Sequence, residues 1–219
     1  MSAHKPLTAV LWDFGGVLTT SPFEAFNRYE SEHGLPQNFI RTVNATNPHD
    51  NAWAQFESSQ IDRDAFDQLF REEAIALGHD VSGREVLKLL SGDLRPKMVR
   101  ALDRIREKYR VGCITNNVKT GQGPGMAASS ERAQQMAAVM ARFDVVVESS
   151  VEGVRKPDPA IYRIACERMT VEPDESAFLD DLGVNLKPAA ALGMRTIKVL
   201  SEAQALTDLE ALTGLRLTD

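Results

Sequence analysis

Four short polar stretches of this chain each follow an apolar run. Asp13 ends LTAVLW, Thr115-Asn116-Asn117 follow RVGCI, Lys156 lies in VRKPDP beyond DVVV, and Asp180-Asp181 follow SAFL. Crowded carboxylates repel and raise one another's pKa unless a cation compensates them. An oxygen-only set, with no His or Cys beside it, suits a hard ion that keeps some of its water, so Mg²⁺ is the first choice. With a lysine and a Thr-Asn pair of donors added, such a place can spread the negative charge of a phosphoryl group. A carboxylate beside the metal, Asp13, can then attack phosphorus and form an aspartyl-phosphate, dividing one hard displacement into two easier ones. Singly, each residue has a plainer use. Asp13 could finish a turn, and Thr115-Asn116-Asn117 could cap a helix.

What argues against coincidence is the kind of element each residue ends. Leu7 to Trp12, closed by Gly15-Gly16, reads as a buried parallel strand with Asp13 at its carboxyl end, the end where open α/β sheets bind ligands. Further strands are expected at Arg110 to Ile114, Asp144 to Val147, Ser176 to Leu179 and Arg195 to Leu200. Helices are expected at Pro96 to Tyr109, Ser130 to Arg142, Ala160 to Met169, Asn185 to Leu192 and Glu202 to Leu212. This alternation predicts a Rossmann-like, doubly wound parallel sheet with helices on both faces and right-handed crossovers. All the polar stretches then fall on one edge of one sheet.

Between the first strand and the rest, Pro22 to Leu90 shows no alternating pattern. Apolar residues recur there at helical spacing, as in Phe23, Phe26 and Tyr29 or Phe66, Leu69 and Phe70, so four or five short helices are expected. Asp62 or Asp64 is a candidate N-cap. The sequence divides into a core of residues 1–18 and 93–219 and an all-helical domain of residues 19–92, which ends at the hinge-like Ser91-Gly92-Asp93. A helical insert at this point is a natural lid.

Composition limits the partners. The net charge is -6, and residues 19–92 carry all of it, with 12 Asp and Glu against 6 Lys and Arg; the remainder holds 19 of each. No basic face for nucleic acid is implied. Cys113 and Cys166 sit in apolar segments without CxxC spacing, which favours small core residues and a reducing compartment. No run approaches the roughly 18 apolar residues of a membrane span. A soluble cytoplasmic protein, monomer or homodimer, that binds a small molecule is expected. Gly121-Gln122-Gly123-Pro124-Gly125 lacks a Gly-Lys-Ser/Thr ending and a preceding strand, and reads as a loop rather than a phosphate cradle.

DFGGVL, ITNN, VRKPD and FLDDLGVNLKPAAALGM, in that order, resemble the four motifs of the haloacid dehalogenase (HAD) superfamily, and the helical insert resembles its C1 cap. Phe143 to Leu200 is particularly similar to the amino-terminal phosphatase domains of mammalian soluble epoxide hydrolases. The resemblance implies a hydrolase acting on a small phosphate ester. It implies Asp13 as nucleophile, Thr115 and Asn116 on the phosphate, and Lys156 bridging phosphate and nucleophile. It also implies Mg²⁺ on Asp13, the Gly15 carbonyl and Asp181, with Asp180 behind them.

One position departs from that pattern. Phosphatases of the superfamily usually carry an aspartate two residues after the nucleophile, as acid to the leaving group and then base to water; here it is Gly15. The loss of such a group is worth about 10²- to 10⁴-fold in rate. Substrates whose leaving group needs little protonation are therefore expected, such as anomeric sugar phosphates, acyl phosphates or aryl phosphates. His49 or Glu24 of the insert are candidates for a replacement acid. A dehalogenase would not want Asp180-Asp181, a phosphonatase would need a cap lysine where only Lys88 stands, and a mutase relies on the missing residue. The rival of another class is a phosphate-binding or regulatory module that has lost turnover with its acid.

Overall fold

The computed structural model describes residues 5–48, 50–57, 60–90, 92–117 and 130–218. The described chain forms two compact units. One comprises Met1–Thr20, Asp93–Asn116 and Gln134–Asp219, and the other Ser21–Gly92 and Asn117–Ala133.

The first unit is built on five parallel strands, β1 (Ala9–Trp12), β2 (Arg110–Thr115), β3 (Val145–Glu148), β4 (Ser176–Asp180) and β5 (Arg195–Lys198), in the order β3-β2-β1-β4-β5. Pairing β1 with both β2 and β4 puts Trp12 level with Cys113 on one side and Leu179 on the other. Strand alternation explains why β1 reads as a continuous apolar run. Val10 and Trp12 enter one core, with Met98, Ala101, Leu102, Ile105 and Leu209, while Ala9 and Leu11 enter the other, with Ile161, Tyr162, Ala165 and Ala189. Both faces of the central strand are covered, so neither set of side chains can be polar.

The helices of the two units, in chain order, begin with α1 (Pro22–Glu32), α2 (Phe39–Ala45), α3 (Ala52–Glu57), α4 (Arg63–Ala76) and α5 (Gly83–Leu89). These five make the second unit's core, in which Phe26, Ile40, Phe56, Phe66, Phe70 and Val86 are buried together. Asp62 is the N-cap of α4, its carboxylate accepting from the backbone N–H of Asp64 and Ala65. Then follow α6 (Pro96–Ile105), α7 (Ser130–Met140), α8 (Ser149–Glu152), α9 (Pro159–Met169), α10 (Gly183–Ala191) and α11 (Glu202–Thr213). The short α8 and a 3₁₀ turn at Pro173–Glu175 are too brief to leave a periodic signal and are absent from the sequence-based expectation. Among the described residues no helix is long and apolar enough to cross a membrane. His49 and the Gly121 to Gly125 stretch lie outside the described residues.

Candidate functional site

Asp13, Gly15, Thr115, Asn116, Asp180 and Asp181 lie in the first unit at or just beyond a strand's carboxyl end, while Lys156 follows β3 only after the short helix α8. The β1 ladder runs one residue past the strand, because the N–H of Asp13 donates to the carbonyl of Leu179 at 2.8 Å. The chain then turns sharply, and the Asp13 carboxylate accepts from the N–H of Phe14 at 2.7 Å. Thr115 is the last residue of β2 and lies opposite Glu148 of β3, while Asp180 is the last of β4.

At the centre is Lys156, buried with 2% of its surface exposed. Its Nζ lies 2.7 Å from Asp13 Oδ1 and 2.8 Å from Asp180 Oδ2, with the Phe178 ring 5.5 Å away. Burial works against the ammonium charge, but the two carboxylates outweigh it and raise the Lys156 pKa. The Asp13 pKa is raised as well, up to about 7, which for a carboxyl favours the neutral form. Burial is the main cause, Lys156 opposes it, and Asp180 and Asp181 add to it. One lysine does not neutralise three carboxylates. The remaining negative charge is what a bound cation would answer.

One carboxylate oxygen from each of Asp13, Asp180 and Asp181 lies within 4.8 Å of the other two. They do not stand in equivalent surroundings. Asp180 is fully buried, with Oδ1 accepting from the Leu182 N–H at 2.8 Å and Asn185 Nδ2 at 3.0 Å. Its Oδ2 accepts from Lys156 and again from Asn185 Nδ2 at 3.0 Å. Asp181 is half-buried and packs against the backbone of Gly16, where a Cβ would come within 2.3 Å of Asp181 Oδ2. Gly16 also has φ +75, so the turn and the close approach both demand glycine. The donor set is all oxygen and fits a hard divalent ion. Gly15 is different, since its φ is not positive and a Cβ there would meet nothing within 4 Å.

Two positioning side chains are visible only in three dimensions. Asn116 holds the lysine loop, its Nδ2 donating to the Lys156 carbonyl at 3.0 Å and its Oδ1 accepting the Lys156 N–H at 2.9 Å. Both ends of its amide are thus engaged with the backbone of Lys156. Asn185, in the first turn of α10, braces Asp180, and its own carbonyl accepts from the buried Tyr162 hydroxyl at 2.7 Å. A polar residue in an otherwise apolar helix turn is the signal that could have pointed to Asn185. Tyr162 leaves none, being one aromatic in a core-facing helix. Glu24 lies in the first turn of α1, within the helical unit.

The chain is 32% identical over 222 residues to acyl-CoA dehydrogenase family member 10 of Mus musculus, covering 99% of this chain and 20% of that protein. To bifunctional epoxide hydrolase 2 of Sus scrofa it is 29% identical over 223 residues, covering 96% of this chain and 40% of that protein. It thus spans less than half the length of either relative. In fold it is similar to a HAD family enzyme of Bacteroides thetaiotaomicron in complex with magnesium and inorganic phosphate, with a TM-score of 0.54 and 22% identity, over 88% of this chain and 93% of that one. A family model described as haloacid dehalogenase-like hydrolase matches residues 7–193, from the start of the first strand's apolar run to the glycine after α10. Every stretch that lines the sheet edge falls inside that match, and the chain belongs to the haloacid dehalogenase-like hydrolase family.

Proposed function

We propose that this protein is a Mg²⁺-dependent phosphatase that hydrolyses a small phosphate ester through an aspartyl-phosphate on Asp13. The observation that carries this reading is the pairing of Asp13 Oδ1 with Lys156 Nζ at 2.7 Å, beside a carboxylate pair and at the ligand-binding edge of the sheet. Asp13, the Gly15 carbonyl and Asp181 would hold the ion, while Asp180, whose hydrogen bonds are already committed, would hold Lys156 in place. When bound, Mg²⁺ lowers the charge barrier between an anionic nucleophile and an anionic substrate. The chain's own residues do the rest. Lys156 and the donors at Thr115 and Asn116 take up charge on the phosphoryl oxygens, and Asp13 attacks in line with the leaving group.

Gly15 narrows the substrate. With no acid at this position, the leaving group has to depart as an oxyanion, which favours acyl, aryl and anomeric phosphates. The same glycine supports a second reading, a phosphate-binding regulator without turnover. A panel of phosphate esters assayed with Mg²⁺ and with a chelator separates the two. Turnover should be metal-dependent, fall about 10⁴-fold or more in Asp13→Asn, and rise steeply as the leaving-group pKa falls. A flat leaving-group dependence would show that an acid comes from elsewhere. Phosphate binding without turnover would favour the regulator.

A further inference from the structure

The next step rests on the aspartyl-phosphate reading. Two half-reactions share the place that Gly15 occupies. In the first, an Asp13 carboxylate oxygen attacks phosphorus and the bond to the ester oxygen breaks. The leaving group departs with that electron pair and takes its proton from solvent. In the second, a water oxygen attacks phosphorus and the bond to Asp13 breaks, returning its electron pair to the carboxylate and releasing hydrogen phosphate and one proton. A good leaving group removes the first step's need for an acid. It does nothing for the second step, in which the nucleophile is water whatever the substrate and gains from a base that takes its proton.

Among the described residues of the α/β unit, the carboxylates at this edge are committed elsewhere. Asp13 is the phosphorylated group itself. Asp180 is buried under hydrogen bonds from Leu182, Asn185 and Lys156, and Asp181 is packed against Gly16 on the side of the acidic cluster. Glu148 closes β3, which β2 separates from β1. Two strand spacings put those backbones about 9.5 Å apart. Over Gly15 itself there is open space, with nothing within 4 Å of a Cβ position.

We propose that hydrolysis of the Asp13 phosphoryl group, rather than its formation, limits turnover on activated phosphate esters, so that the protein stands mainly as the phosphoenzyme while substrate lasts. The space over Gly15 admits a small external base, and such a base speeds the slow step.

Rapid mixing of the full chain with p-nitrophenyl phosphate and Mg²⁺ tests this. The expected result is a burst of p-nitrophenol approaching one equivalent per protein, followed by a slow linear phase. Acid-quenched protein should carry the mass of one added phosphoryl group on Asp13, with none on Asp13→Asn. Imidazole should raise the linear phase of the native protein and not that of Gly15→Asp. In Gly15→Asp the burst and the phosphoprotein should vanish and the linear rate rise about 10-fold or more. If Gly15→Asp fails to fold, the burst, the mass shift and the imidazole response still decide. Release that is linear from the first turnover, with unmodified protein at steady state, overturns the proposal and leaves the phosphatase reading standing. No Asp13-dependent release with any activated ester overturns both.

Discussion

Gly15 and Gly16 are adjacent, chemically identical and opposite in their demands. At Gly16, φ is +75 and a Cβ would press within 2.3 Å of Asp181 Oδ2, so a side chain costs about 1–2 kcal/mol in backbone strain and also displaces a carboxylate of the cluster. At Gly15 neither constraint exists. Gly16→Ala should therefore lose Mg²⁺ binding, measured by calorimetric titration, together with metal-dependent turnover. Gly15→Ala should keep its denaturation midpoint within the range of ordinary surface changes, about 0.5 kcal/mol. The reverse ranking would contradict the assignment of Asp181 to the metal. The sequence shows two glycines and no difference between them, because the distinction lies in the position of a carboxylate 165 residues away in the chain. Asn116 makes the same point. Its type suggests a donor, and only the folded loop reveals that its amide also ties down the backbone of Lys156.

Elements were legible wherever period and punctuation agreed. Every expected strand is present with its ends moved by a residue or two. The first covers only Ala9–Trp12 of the Leu7 to Trp12 run, and the last stops at Lys198, short of Leu200. Helix α6 ends at Ile105 rather than Tyr109. Such shifts arise where the last side chains still match the pattern but the backbone has begun to turn. The joint between α4 and α5 was not legible at all. Asp67 of α4 accepts the Ser82 hydroxyl at 2.7 Å and the Arg84 N–H at 2.8 Å, tying down the start of α5. A Cβ on Gly83 would meet Asp67 Cα at 2.9 Å, so this close approach needs glycine. The Arg84 N–H, with the Ser82 hydroxyl, holds the Asp67 carboxyl below its ordinary value of 3.8. Between that depressed pKa and 3.8 the unfolded chain binds more protons than the folded one, so stability rises with pH across the window and its contribution is complete above it. Acidification through the depressed pKa removes that contribution. Chemical denaturation of wild type and Asp67→Asn at about pH 3 and about pH 6 should show a larger difference at the higher pH. An equal difference at both would mean that the carboxylate's charge is not what holds the joint.

For the molecule as a whole, three clustered carboxylates, two of them on Lys156, are a stability cost that a bound cation would relieve. Mg²⁺ at a hundred times its Kd should stabilise the α/β unit by about 2.7 kcal/mol through mass action. Denaturation with Mg²⁺ and with chelator measures this, and Asp181→Asn should remove most of the gain. Equal midpoints in both conditions would remove the metal from the site. The acidic excess of residues 19–92 is a different matter, since several of its carboxylates serve the helical unit's own caps and ion pairs, such as Asp62 on α4 and Asp80 with Arg71. By itself the sequence determined the fold class, the alternation of strands and helices, the helical block and the residues worth suspecting, because periodicity and strand-end chemistry are local properties of the chain. Only the tertiary structure decided which strand ends are neighbours. The order β3-β2-β1-β4-β5 places β1 against β4, and so brings Asp13 to Asp180 and Asp181 with Lys156 between carboxylates. It also decided that Gly15 stands open while Gly16 is closed. Adjacency across a sheet follows from how each crossover packs, and that is a long-range property no local pattern contains.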